Sequence, residues 1–85
     1  MPKSVFTDAY ASFLATLIAA RKGARVSQVE LAARLGKTQS FVSQIERSVR
    51  RVDVIEFYAI ARALKIDPTQ LFSDVAKGLP ENVAI

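Results

Sequence analysis

Ser27-Gln28-Val29-Glu30-Leu31-Ala32-Ala33-Arg34-Leu35-Gly36-Lys37-Thr38-Gln39-Ser40-Phe41-Val42-Ser43-Gln44-Ile45-Glu46-Arg47 reads as two short helices and the turn between them. Ser27 followed three residues later by Glu30 has capping-box spacing, and Val29, Leu31, Ala32 and Leu35 recur with a helical period behind it. Gly36 permits a left-handed turn that a side chain would resist. Thr38 can cap the next helix, which turns Val42 and Ile45 inward and Gln39, Ser40, Ser43 and Gln44 outward. The outward face is polar without being charged. Leu31, Leu35, Phe41, Val42 and Ile45 are expected in the core, because burial explains them without a ligand.

The same period extends in both directions. Before the quoted stretch, Thr7 or Asp8 can cap a helix in which Tyr10, Phe13, Leu14, Leu17 and Ile18 recur at three- and four-residue intervals. Gly23 ends it, and Arg21 and Lys22 in its last turn suit the helix dipole. After the stretch, Asp53 caps a helix from Val54 to Leu64 with Phe57, Ile60, Ala61 and Leu64 inward. Asp67-Pro68-Thr69-Gln70 opens another, with Asp67 as cap, Pro68 in the first helical position, Gln70 closing a box and Leu71 and Phe72 docking it. No segment sustains a period of two. The chain is therefore expected to be all-α with five short helices.

Eighty-five residues, 51% of them hydrophobic, suit one small domain with a single core. There is no cysteine and no histidine, so disulfides, thiolate nucleophiles, imidazole general bases and imidazole metal ligands are all excluded. The carboxylates are scattered, no glycine-rich phosphate loop is present, and Ser and Thr have no neighbouring base. These features argue against an enzyme, and no metal or cofactor is expected. The weakly charged apolar run from Tyr10 to Ala20 spans eleven residues, too few for a bilayer, and the N-terminus lacks a signal-peptide pattern. A cytoplasmic protein with no membrane partner is expected.

Net charge is +4, unevenly distributed. Between Arg21 and Arg51 the basic residues Arg21, Lys22, Arg25, Arg34, Lys37, Arg47, Arg50 and Arg51 face only Glu30 and Glu46, a local excess of +6 against −2 elsewhere. A positive segment centred on the two short helices suits phosphate contact.

Two short helices joined by a tight glycine turn, the second with a polar outward face, are the parts of a helix-turn-helix. The pattern Ser27-Gln28, Leu31-Ala32, Leu35-Gly36, Ser40-x-x-Ser43-x-Ile45-Glu46-Arg47 resembles the phage-repressor and Cro family, also called the XRE family. The resemblance continues through Ile60-Ala61-Arg62-Ala63-Leu64 and Leu71-Phe72, roughly residues 13 to 72. It implies a five-helix, lambda-repressor-like DNA-binding domain with the helix-turn-helix at helices 2 and 3. The chain departs from the pattern at Ser48, where the family usually has Gly, and at Val52, where it often has Pro. The loop between them is expected to differ in shape.

The base-reading candidates are Gln39, Ser40, Ser43 and Gln44, since amides pair bidentately with adenine and hydroxyls adapt to several bases in the major groove. Gln28, Lys37, Thr38, Arg47, Arg50 and Arg51 flank them and are the phosphate-binding candidates, with Arg25 and Lys22 behind them. In the family an Arg ending the first helix pairs with the Glu ending the recognition helix. The resemblance thus implies a structural ion pair between Arg21 and Glu46.

Residues 1–72 are assigned to the DNA-binding domain with an N-terminal arm, and 73–85 to a C-terminal tail that extends dimerisation. Phe72, Val75 and Leu79 are the expected dimer interface, with Val5, Phe6 and Tyr10 as second choice, because twofold proteins match palindromic operators. The expected function is sequence-specific regulation of transcription from double-stranded DNA as a homodimer, by a repressor or restriction-modification controller, with no small-molecule ligand. The rival reading is an antitoxin or protein-interaction module that uses its apolar ends on a partner protein.

Overall fold

The computed structural model describes residues 7–85, so Val5 and Phe6 lie outside the described residues. Five helices follow in order: α1 (Asp8–Gly23), α2 (Gln28–Leu35), α3 (Gln39–Glu46), α4 (Val54–Ala63) and α5 (Pro68–Lys77). No strand occurs among the described residues. α2 packs on α3 and α4, and α5 closes the bundle against α1 and α4. The core is the inward stripe of each helix: Tyr10, Leu14 and Leu17 from α1, Leu31 and Ala32 from α2, Val42 and Ile45 from α3, Phe57, Ile60 and Ala61 from α4, Leu71 and Val75 from α5.

Each helix begins on a side-chain cap, which is why the boundaries fall where they do. Thr7, Ser27, Thr38, Asp53 and Asp67 each accept a hydrogen bond from a backbone N–H of the first turn. A reciprocal capping box forms only at α4, where Glu56 returns the bond to the Asp53 N–H. The boxes expected at Ser27 and Asp67 do not close. Glu30 instead pairs with Arg34 at 3.1 Å, and Gln70 donates to Asp74 at 3.1 Å, one helical turn onward in each case.

The ends of the first four helices share one geometry. After α1, α2, α3 and α4 the chain enters the left-handed region at Arg25, Gly36, Ser48 and Lys65, with φ of 60°, 68°, 63° and 61°. Each turn carries paired return bonds of Schellman type, such as Val49 N–H to Gln44 O at 2.8 Å and Ser48 N–H to Ile45 O at 3.1 Å. Only Gly36 adopts this conformation without the steric cost of a Cβ. Ser48 therefore keeps the turn that glycine would make, and the loop after α3 is not reshaped at its start. The change lies at Val52, whose backbone N–H donates to the Tyr10 hydroxyl at 3.0 Å, a bond that proline could not make.

Several expectations about apolar residues change. Val75, assigned to the dimer interface, is only 2% exposed and belongs to the core. α5 runs without a break past the boundary set at residue 72, because Leu71 and Val75 form an i,i+4 stripe that continues the buried face. Leu79 packs half-buried against the same core, and Gly78 sits so close to α1 that its carbonyl accepts from Ser12 Oγ at 3.1 Å. Tyr10, a second-choice interface residue, is buried. Phe41 and Leu35 are half-buried at the edge of the core.

Candidate nucleic-acid interface

α3 is held against α2 by Val42 and Ile45, which leaves Gln39 and Ser40 exposed and Ser43 and Gln44 half-exposed on the other side. The four base-reading candidates thus share one polar face. At about 1.5 Å per residue, eight residues make a rod roughly 12 Å long, comparable with the width of the major groove. Within this face Gln44 Nε2 donates to Ser40 Oγ at 3.4 Å, and Arg47 Nε donates to Ser43 Oγ at 3.0 Å. Both hydroxyls act as acceptors there, so each keeps its own proton for an outside acceptor.

A chain of hydrogen bonds ties this face to α1. Arg21 donates from Nε to Glu46 Oε2 at 2.6 Å and from Nη2 to Glu46 Oε1 at 3.0 Å, a two-point guanidinium–carboxylate fork. Both side chains are nearly buried, at 10% and 11% exposure. The third arm of Arg21, Nη1, donates to the Val26 carbonyl at 2.8 Å. Gln28 Nε2 then donates to Glu46 Oε1 at 2.8 Å, and Gln39 Nε2 donates to Gln28 Oε1 at 2.7 Å. The direction of this chain is forced. A carboxylate only accepts, so Gln28 must turn its amide nitrogen to Glu46 and its oxygen to Gln39, which must donate. Gln39 is left with a free-facing oxygen and one remaining N–H, the complementary pair that an adenine edge requires.

The expected Arg21–Glu46 pair is therefore present, and it extends further than expected. Gln28 was expected to face a phosphate, whereas both ends of its amide are engaged inside the chain and one N–H remains. No signal local to α2 reveals this, because the group that orients Gln28 comes from the end of α3.

Arg21, Arg34 and Arg50 are ion-paired within the chain, to Glu46, Glu30 and Glu56. Arg34 also donates to the Ala63 carbonyl at 2.7 Å, tying α2 to the end of α4. Arg50 lies with its guanidinium 4.8 Å from the Phe41 ring centre, and Lys37 Nζ lies 5.4 Å from the same ring. Arg51 stacks 4.4 Å from the Tyr10 ring. Phe41 and Tyr10 thus act as supports for cations at the margin of α3, a use that the apolar pattern alone does not show. Thr38 accepts from Phe41 N–H at 3.3 Å, which leaves its hydroxyl proton available at the N-terminus of α3.

The family model described as Helix-turn-helix matches residues 17–71, which contains α2, α3, α4 and the network that orients them. The chain belongs to the helix-turn-helix family. This XRE-type helix-turn-helix protein is similar to an XRE-family like protein from Pseudomonas syringae pv. tomato str. DC3000, with 46% identity and a TM-score of 0.78 over 85% of this chain and 88% of that one. The clp gene regulator ClgR from C. glutamicum shares the fold, with a TM-score of 0.74 over 89% of this chain and 99% of that one at 18% identity. An uncharacterized HTH-type transcriptional regulator, y4dL of Sinorhizobium fredii (strain NBRC 101917 / NGR234), is 45% identical over 51 residues, 60% of this chain. The helix-turn-helix protein spans 26% of that relative's length. The family is one of DNA-binding transcriptional regulators rather than enzymes. Among the described residues no helix is long and apolar enough to cross a membrane.

Proposed function

We propose that this protein binds double-stranded DNA sequence-specifically as a homodimer on a palindromic operator and regulates transcription there. The observation that carries the reading is the hydrogen-bonded chain from Arg21 through Glu46 and Gln28 to Gln39. It spends a nearly buried ion pair on fixing one exposed amide at the N-terminal end of α3. A merely solvated helix face has no use for that. Gln39, Ser40, Ser43 and Gln44 read base edges, while Lys37, Thr38, Arg47 and Arg51, with the remaining N–H of Gln28, meet phosphates on either side. Repression is the simplest outcome, because a bound dimer excludes other proteins from the groove that it fills.

One α3 contacts too few base pairs to select a site in a genome, so the reading requires two copies. With Val75 buried, the interface falls instead on an exposed apolar strip of α4 and α5: Val54, Ile55 and Tyr58 with Phe72, which are 75%, 72%, 54% and 57% exposed. Val54, Tyr58 and Phe72 line one shallow groove with Phe57 at its floor. Exposed apolar side chains gathered in this way favour association. The strip shares no residue with the polar face of α3.

Affinity for duplex DNA measured across salt concentrations tests the proposal. The logarithm of the affinity should fall linearly with that of the salt, by about 0.9 for each phosphate neutralised. Affinity that ignores salt, or no binding to duplex at all, would overturn it and leave the apolar strip as the surface of a protein-interaction module.

A further inference from the structure

The Arg50–Glu56 ion pair joins the loop after α3 to α4, and it lies beside the reading helix. Arg50 follows α3 in the loop, and its guanidinium lies over Phe41, an α3 side chain. Glu56 reaches the same spot from α4 and lines one crevice with Lys37 and Phe41. Between Arg21 and Arg51 the only carboxylates are Glu30 and Glu46, and each has its own arginine. Glu56 is thus the carboxylate that α4 brings to the basic margin of the reading helix. Its Oε2 accepts from Arg50 Nη2, while its Oε1 accepts from the Asp53 N–H at 3.1 Å. The cap bond anchors the carboxylate, so Arg50 is drawn to a fixed negative group.

We propose that Glu56 sets the affinity of this domain for DNA by holding Arg50 in place of a phosphate, so that Arg50 is withheld from the sequence-independent part of binding. The proposal rests on the DNA-binding reading above. A carboxylate and a phosphate oxygen compete for the same guanidinium donors, and the internal partner has the advantage of being already in place. Weakening non-specific contact in this way raises the share of affinity that comes from base reading, since non-specific binding is almost wholly electrostatic. The cation stays close to the interface without contributing to it.

The test is Glu56→Gln, because glutamine at this position of a capping box still accepts from the Asp53 N–H and keeps α4 capped. The probe is a mixed-sequence B-DNA duplex, titrated with wild type and variant over a range of salt. Glu56→Gln should bind several-fold more tightly at low salt, and its salt slope should steepen by about 0.9 for one additional phosphate. Its advantage should accordingly shrink by about 3.5-fold between 50 and 200 mM salt, the factor that this slope gives. Asp74→Asn on α5 removes the same charge away from Arg50 and should leave the slope unchanged. In an Arg50→Ala background, Glu56→Gln should have no effect on the slope. Equal or weaker binding by Glu56→Gln, an unchanged slope, the same slope change in Asp74→Asn, or a steepened slope that survives Arg50→Ala would each overturn the proposal. Wild type that binds no duplex would remove the DNA-binding reading itself, an outcome distinct from wild type that binds and a Glu56→Gln variant that gains nothing.

Discussion

Replacing Glu46 by alanine removes the acceptor for three hydrogen bonds at once: two from Arg21, at 2.6 and 3.0 Å, and one from Gln28, at 2.8 Å. The guanidinium of Arg21 would keep only the Val26 carbonyl while remaining in a nearly buried position. Breaking a buried pair by deleting one partner costs about 3–5 kcal/mol, because the other charge is left uncompensated. Here the two side chains retain 10% and 11% exposure, so water relieves part of that cost and the lower end, about 3 kcal/mol, is expected. For a domain of this size each kcal/mol lowers the Tm by about 4–8 °C, giving a fall of roughly 12–24 °C. Thermal unfolding followed by circular dichroism measures it, with Gln39→Ala as a reference that gives up only the hydrogen bond to Gln28 and should cost about 0.5–1.5 kcal/mol. Replacing both partners, as Arg21→Met/Glu46→Leu, should recover most of the loss, since an apolar pair leaves no orphaned charge. A Glu46→Ala melting curve that coincides with that of Gln39→Ala would refute the account of the pair.

Other consequences are equally open to measurement. Ser48 pays the steric cost of the left-handed region, about 1–2 kcal/mol, and glycine would give back about 0.5–1 in chain entropy; Ser48→Gly should therefore raise stability in urea unfolding by about 0.5–1 kcal/mol, and a loss would show that the Ser48 side chain does something else. Tyr10→Phe removes only the hydroxyl that accepts from Val52, and should cost about 1 kcal/mol in the same assay; no change would mean that water replaces the bond without penalty. Val54→Glu places a carboxylate in the first turn of α4, where the helix dipole favours it, yet in the middle of the exposed strip. Sedimentation should show twice the 9.3 kDa chain mass for wild type and a folded monomer for this variant, whereas a variant that stays dimeric would place the interface elsewhere.

The parts of the fold legible in the sequence are those governed by local rules. A cap acts over three residues, so Ser27, Thr38, Asp53 and Asp67 mark four helix starts and Thr7 or Asp8 the first. The inward stripe follows the helical period, so Leu14, Leu17, Val42, Ile45, Phe57 and Ile60 mark the core. Arg21 and Glu46, 25 residues apart, came within reach only through resemblance to a family. The rest depends on groups that meet across the fold. Gln28 is oriented by Glu46 of α3, and Arg50 is captured by Glu56 across a loop whose course follows from the left-handed turn at Ser48. Phe41 has the composition of a core residue but lies at an edge, where its ring supports Lys37 and Arg50. Val75 could have been placed correctly, since its i,i+4 relation to Leu71 continues the buried stripe past the boundary set at residue 72.

The central claim is that α3 reads base edges within a symmetric pair, and selection of binding sites from a pool of random duplexes tests it most directly. Wild type should enrich a palindrome whose half-site centres lie about one helical turn, 10–10.5 base pairs, apart. Gln39→Ala should relax the preference at one position in each half-site and leave the others intact, at a cost of about 1–3 kcal/mol on the selected site. Enrichment of no motif, or of the same motif at the same strength by wild type and Gln39→Ala, would contradict the claim.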